Sequence, residues 1–427
     1  MLWCGLLAAL GAFIVWGKPR AYIAGLVIAS VVVEVIHHWY AGIGQYFPWV
    51  GVWLGGIVSA KRETWREWWR FLRRQAAWIA VFLVYLAGIA ASALAGIHLS
   101  VSVRYALGVP AVLAVAVIIF PWAVSKGYSS LASVFRIIAG MGVVLTVSAA
   151  IAALGYHSGF PVPVGHHTIL AWQWPFANKN TFGMLLTFAF PAAAFLTMSA
   201  QEDVWARTGW GVASLVLLVG VALSYSRSSW IASLVGLVAF VVLYYGRRGA
   251  LWLAAAIVVM GGGLVAKTGI HKWQLLWSKG LNGRIVLWKA GFRAMDHHWV
   301  LGVGPGNSPM ALRPFVPAIY AGLTPSDSLL RTGLELGLVG LAFWLVLVGV
   351  AMVGLLLKRP WGHWQDSALF AILLASLAQQ VVESLMLGGV SFGDFFFTLF
   401  VGLAWYRVMT QPANRRTRRS RLRPVGR

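Results

Sequence analysis

Apolar runs of about twenty residues recur from one end of the 427-residue chain to the other, and that repetition limits the fold more than any other feature. A hydrocarbon core of roughly 30 Å takes about 20 helical residues to cross, and in lipid every backbone polar group must be satisfied within the segment or its neighbours. The expected fold is therefore all-α: a polytopic integral membrane protein of about 12–13 transmembrane helices. Hydrophobic residues make up 60% of the chain and charged residues 11%, against roughly 25% charged in ordinary soluble domains, so no soluble domain of usual size is left over. One transmembrane domain over residues 1–411 and a basic tail over 412–427 is the economical organisation. The opening run, "MLWCGLLAALGAFIVWGKPR", lacks a basic leader and a small-x-small cleavage site, and reads as a retained first span. Cys4 is the single cysteine, which excludes an internal disulfide framework and a cysteine-rich zinc site.

The formal charge of +23 lies mostly in short clusters beside apolar runs: "GKPR" at 17–20, "KRETWREWWRFLRR" at 61–74, "YGRRG" at 245–249, "KRP" at 358–360 and "RRTRRSRLR" from Arg415. The positive-inside rule accounts for such clusters without nucleic acid as a partner. If all of them are cytoplasmic, the spans alternate consistently and the C-terminus is inside. Segment 61–74 alternates aromatic residues with arginine, as a short helix in the headgroup plane does; a plain loop accommodates the same residues. Alternation then leaves two long connections outside, from Gly155 to about Lys179 and from about residue 269 to Asp327, where a site is expected among otherwise tight loops.

Arg227 lies between two apolar runs on the side where the rule disfavours a basic residue. The long outer segment is also net basic, with Arg284, Lys289, Arg293 and Arg313 among its cations. Basic side chains outside, at membrane depth, suit a lipid-linked phosphate or pyrophosphate, because a guanidinium fork matches phosphate oxygens; snorkelling to headgroups is the plainer role. Among the 11 carboxylates, Glu63, Glu67, Glu202, Asp203 and Asp366 fall in cytoplasmic loops beside basic residues and read as ion pairs. Glu34, Asp296, Asp327, Glu335, Glu383 and Asp394 lie outward or inside spans, where an acid needs a cavity or a partner. Glu335 can pair with Arg331, four residues earlier on one helix face. The histidine pairs lack metal-ligand spacing, so no metal and no cofactor is expected, and no nucleotide-binding loop appears. The glycine-rich "GVGPGN" at 302–307 reads as a tight turn that brings backbone close to a ligand or a helix.

Four segments, in order, carry a resemblance to a known family: "WPFANKNTFGMLLTFAFPAAAFL" (174–196), "SYSRSSWIASLVGLVAF" (224–240), "GRIVLWKAGFRAMDHHWVLGVGPGN" (283–307) and "TPSDSLLRTGLELGLVGL" (324–341). Together, over residues 174–341, they resemble the O-antigen ligase and O-antigen polymerase superfamily of membrane glycosyltransferases. The resemblance implies a bundle similar to the GT-C-type architecture, with a large outer loop at about 269–327. It also implies metal-independent transfer of a glycan from a polyprenyl-pyrophosphate carrier to a glycan or lipid acceptor, at the outer face of the cytoplasmic membrane. In that scheme Arg227 and Arg284 bind the donor pyrophosphate, and Lys179, Asn180, Arg331 and Glu335 line the substrate cavity. It allows a chain-length regulator or a flippase as a protein partner, besides membrane lipid.

The chain departs from the family pattern at one point that matters. Aligning Glu335 and the Gly-Leu-x-Gly-Leu after it places Ser326 where relatives often carry the histidine proposed as general base, and Asp327 where they carry asparagine. Asp327 can take that role, or His298 can fold over the site from the preceding loop. "PSDS" is equally a good helix start, with Asp327 as its N-cap. A transporter or flippase for an anionic lipid or lipid-linked glycan would use a similar basic cavity, though its decisive charges belong near the midplane. A peptidoglycan glycosyltransferase of the shape, elongation and division group would share the helical fold and the carrier, but its outer-loop acidic motifs are not recognisable here.

Overall fold

A computed structural model describes residues 19–39, 62–156, 158–164, 167–199, 202–268, 282–358, 362–389 and 391–410. The opening span, the part of the long loop that carries Lys272 and Lys279, and the basic tail lie outside these residues. The helices are α1 (Pro19–Trp39), α2 (Arg62–Arg74), α3 (Ala76–Leu94), α4 (Leu99–Ser125, with a π-helical stretch at Ala114–Ile119) and α5 (Leu131–Gly155). A hairpin of β1 (Phe160–Val164) and β2 (His167–Ala171) follows. Then come α6 (Lys179–Thr197), α7 (Val204–Leu223), α8 (Arg227–Thr268), α9 (Asn282–Met295), α10 (Ser308–Leu312), α11 (Ser328–Leu357), α12 (Trp364–Gln380) and α13 (Phe392–Thr410). Eight helices among the described residues are long and apolar enough to cross a membrane, so the fold is the expected polytopic all-α one. The antiparallel hairpin, pairing Phe160 with Ala171 and Val164 with His167, is an element that helical periodicity did not predict.

Which helices are central follows from their composition. The most apolar windows of α6 and α13 are 78% buried, whereas that of α7 is 17% buried and faces outward. Helix α13 is aromatic on every side ("FGDFFFTLF"), and a helix apolar all round packs on all sides. Phe188 of α6 meets Phe396 edge-on at 5.4 Å and stacks over Phe400 at 6.2 Å. Helices α6, α8 and α12 are tied by a polar chain in this apolar interior. The Thr187 hydroxyl donates to Gln379 Oε1 (3.2 Å), Gln379 Nε2 donates to Ser228 Oγ (3.2 Å), and Ser226 and Ser229 share a hydrogen bond of 2.9 Å. Inter-helix hydrogen bonds of this kind contribute about 0.6–2 kcal/mol each in membrane proteins.

Three of the ion pairs expected among cytoplasmic-loop residues form at one end of the bundle, while Asp203 serves as a helix cap and the Glu63 side chain lies outside those described. Glu67 meets Lys126 at 2.7 Å, Asp366 accepts from Arg407 at 2.6 Å, Glu202 pairs with Arg136, and Asp203 caps α7 through the Ala206 amide. The arginine-rich segment is a helix, α2, and with Lys126 and Tyr406 it borders a cavity of about 560 Å³ at that end. The beginnings of α6, α8 and α11 and the end of α12 lie at the opposite end.

Candidate functional site

Lys179, Arg227 and Arg284 converge at that opposite end, close enough to repel one another electrostatically. Each is delivered by a helix start. Asn178 caps α6, its side-chain oxygen accepting from the Asn180 amide at 2.8 Å, and so fixes the first turn that carries Lys179 and Asn180. The Lys179 ammonium donates to the Tyr225 carbonyl (3.1 Å) and sits 5.6 Å from the centre of the Phe160 ring, so the hairpin folds over it. Tyr225 holds a left-handed backbone (φ 49°), a strained conformation for a bulky residue, which turns its carbonyl to Lys179 just before Arg227 opens α8. Gly183 permits this closeness, because a Cβ there would lie 2.6 Å from Ser226.

The third cation arrives on α9, which lies alongside the first turns of α11 in parallel: Leu330 packs over Gly291, and Met295 over Gly333. Arg284 Nη2 donates to Glu383 Oε1 at 2.7 Å, both side chains about one-fifth exposed. Burial pushes the Glu383 carboxyl above the usual carboxylate range, and Arg284 opposes that shift. Glu383 lies just beyond α12. Its carbonyl accepts from the Ser328 hydroxyl (3.3 Å), and Ser328 Oγ in turn accepts from the Leu385 amide (2.7 Å), so the acid is fastened to the mouth of α11.

Asp327 is the N-cap of α11, accepting from the Leu330 amide at 2.7 Å. Its burial also raises its carboxyl, against the pull of the Leu330 and Leu329 amides. Arg331 pairs with Glu335 at 2.9 Å, as the i,i+4 spacing predicts, and reaches Ser384 at 3.4 Å, next to Glu383.

Glu335 is 1% exposed and its carboxylate is held by protein donors. Ser308 Oγ and Arg331 Nε serve Oε1 (2.5 and 2.9 Å), and the Gly306 amide serves Oε2 (2.9 Å). The "GVGPGN" turn thus wraps a helix: the Val303 and Gly304 amides donate to the carbonyls of Leu334 and Glu335. The turn closes on a break in α11 at Gly337 (φ 68°), where an added Cβ would sit 2.0 Å from the Val300 oxygen. Glu335 is accordingly a strut that joins α11 to this turn.

His298 is not brought to the cluster. It follows the far end of α9, whose rise of 1.5 Å per residue puts Met295 roughly 16 Å along the axis from Arg284, and its carbonyl accepts from the Gly302 amide beside the break in α11. Glu383 is the member that sequence reasoning left unassigned. It stood among the six carboxylates placed outward or inside spans, but no local pattern links it to Arg284, 99 residues earlier.

A bundle of membrane-length helices defines a polytopic membrane protein, and Lys179, Arg227 and Arg284, the last paired with Glu383, mark a candidate site at the bundle's rim. Residues 212–345 match the family model described as O-antigen ligase, which bears out the resemblance read from the motifs. The match covers about a third of the chain and, with the membrane-length helices, supports a membrane glycan-processing enzyme of the O-antigen ligase and polymerase type. No curated protein matches it.

Proposed function

We propose that the protein transfers or polymerises an oligosaccharide carried on polyprenyl pyrophosphate, at the outer face of the cytoplasmic membrane. The observation that carries this reading is the convergence of Lys179, Arg227 and Arg284 from three separate segments, with Glu383 held against Arg284. The three cations bring positive charge to one place, and a pyrophosphate diester supplies the complementary negative charge. The site lies at the rim of the bundle, where a polyprenyl chain can stay in the bilayer while its head group reaches the cations. Sidedness rests on the charge pattern: the opposite end carries arginine-rich α2 and Arg407, as a cytoplasmic face does.

In the reaction an acceptor hydroxyl attacks the anomeric carbon. The bond from that carbon to the phosphate oxygen breaks, and the pyrophosphate leaves with the electron pair. Charge grows on the leaving oxygens as the bond lengthens, so Arg227, Arg284 and Lys179, already fixed at those oxygens, stabilise the transition state more than the ground state. Guanidinium and ammonium groups supply this charge without a divalent ion. The acceptor is a hydroxyl of a second lipid-linked glycan or of a lipid.

The test is an assay of purified protein in nanodiscs with polyprenyl-pyrophosphate oligosaccharide, with and without an added lipid acceptor. A ladder of longer glycans from donor alone identifies a polymerase, and product only with the lipid acceptor identifies a ligase. Absence of any transfer, together with counterflow of the donor across liposomes, would overturn the reading.

A further inference from the structure

We infer, building on the glycosyl-transfer reading above, that Glu383 is the catalytic base: its carboxylate takes the proton of the attacking acceptor hydroxyl. The chain has Ser326 where its relatives often carry a histidine, and of the two substitutes visible in sequence, His298 lies at the far end of α9 and Asp327 is engaged as the cap of α11. Glu383 is the acid in direct contact with the cationic cluster. Only its Oε1 is used in that contact; among the described residues no donor is bonded to Oε2, which leaves that oxygen for a substrate hydroxyl.

A guanidinium that holds a carboxylate on one edge and a phosphate oxygen on another keeps the two roughly 5–8 Å apart. An in-line displacement needs about that separation between base and leaving oxygen, with the reacting atoms about 3–3.5 Å apart and the base one hydrogen bond further on. The atoms balance: the acceptor oxygen bonds to the anomeric carbon, the carbon–oxygen bond to pyrophosphate breaks with its electrons, and the proton moves to Glu383.

The ion pair also couples base strength to donor binding. Arg284 lowers the proton affinity that burial gives Glu383. When pyrophosphate takes up the Arg284 charge, that restraint weakens, so the carboxylate becomes more basic once the donor is in place. Water entering the empty site meets a weaker base.

The test compares Glu383→Gln, Glu383→Asp and Glu383→Ala in the full-length protein, measuring transfer and, separately, equilibrium binding of a polyprenyl-pyrophosphate oligosaccharide. Glu383→Gln should lower kcat at least about 100-fold with donor binding unchanged or tighter, because the amide cannot take a proton and no longer competes for Arg284. Glu383→Asp should keep measurable transfer, and added formate should restore part of the activity of Glu383→Ala, a response that a purely structural role would not produce. Glu383→Gln retaining a tenth or more of wild-type kcat would overturn the assignment. So would loss of donor binding with kcat intact, which would make Glu383 a positioning residue for Arg284. If Glu383→Gln does not fold, failure of formate to rescue a folded Glu383→Ala overturns it equally. Wild-type protein that binds donor but transfers nothing would instead sink the glycosyl-transfer reading, and this proposal with it.

Discussion

Arg284 and Glu383 meet at 2.7 Å across 99 residues of sequence, joining the start of α9 to the segment after α12. The pair puts a fixed cation and a half-buried acid side by side at the rim of a membrane bundle. The consequences can be measured.

Arg227→Ala and Arg284→Ala should each lower transfer by about 100-fold or more, the scale expected when one fixed charge is removed from a developing anion. Both variants should elute from size exclusion as wild type does. Wild-type rates in both would remove them from the mechanism.

The pH dependence has a definite sign. A base must be ionised, so transfer falls as pH drops through the Glu383 pKa, which burial holds above the ordinary carboxylate value of about 4.3. The groups around it are Arg284, whose charge opposes the shift, Arg331 beside Ser384, and Asp327 at the mouth of α11. The acid limb of kcat/KM should lie above the ordinary carboxylate range and disappear as a titrating limb in Glu383→Gln. A limb at or below about 4.3 would contradict the assignment.

Asp327 separates capping from chemistry. Asparagine is as good an N-cap as aspartate, so Asp327→Asn should keep most transfer and most stability, whereas Asp327→Ala should cost about 1 kcal/mol. Thermal unfolding alongside the transfer assay distinguishes the outcomes. Collapse of transfer in Asp327→Asn with stability intact would return the base to Asp327.

Glu335→Ala would leave the Arg331 charge buried and the Gly306 amide and Ser308 hydroxyl without their acceptor. Loss of one partner of a buried pair costs about 3–5 kcal/mol. Gly337→Ala should destabilise by at least about 2 kcal/mol, since its φ of 68° is strained for alanine and the new Cβ would meet the Val300 carbonyl. Both appear as lowered thermal transitions in detergent; unchanged transitions would refute the role of this joint.

Much of the architecture was legible in the sequence because membrane insertion imposes it locally. Span length, basic clusters, the Asp327 cap and the Arg331–Glu335 pair all follow from neighbours within one or a few helical turns. The hairpin at Phe160–Ala171 was not legible, since a connection carries no membrane periodicity. Nor were the bonds from the Gly306 amide and Ser308 hydroxyl to Glu335, which join segments 27–29 residues apart. The Arg284–Glu383 contact was hidden for a similar reason: it depends on how α9, α11 and α12 stack, which no spacing rule encodes. His298, which the sequence allowed to fold over the site from its loop, instead follows the far end of α9, with its carbonyl bonded to the Gly302 amide.

In the proposed reaction the cations gathered at this rim drive glycan transfer from a pyrophosphate carrier. The most direct measurement is single-turnover transfer by purified wild-type and Arg284→Ala protein, each saturated with polyprenyl-pyrophosphate oligosaccharide in the presence of acceptor. Rapid chain growth or acceptor labelling by wild type, with a rate about 100-fold lower in the variant at saturating donor, is the predicted result. Equal single-turnover rates in the two proteins would contradict it.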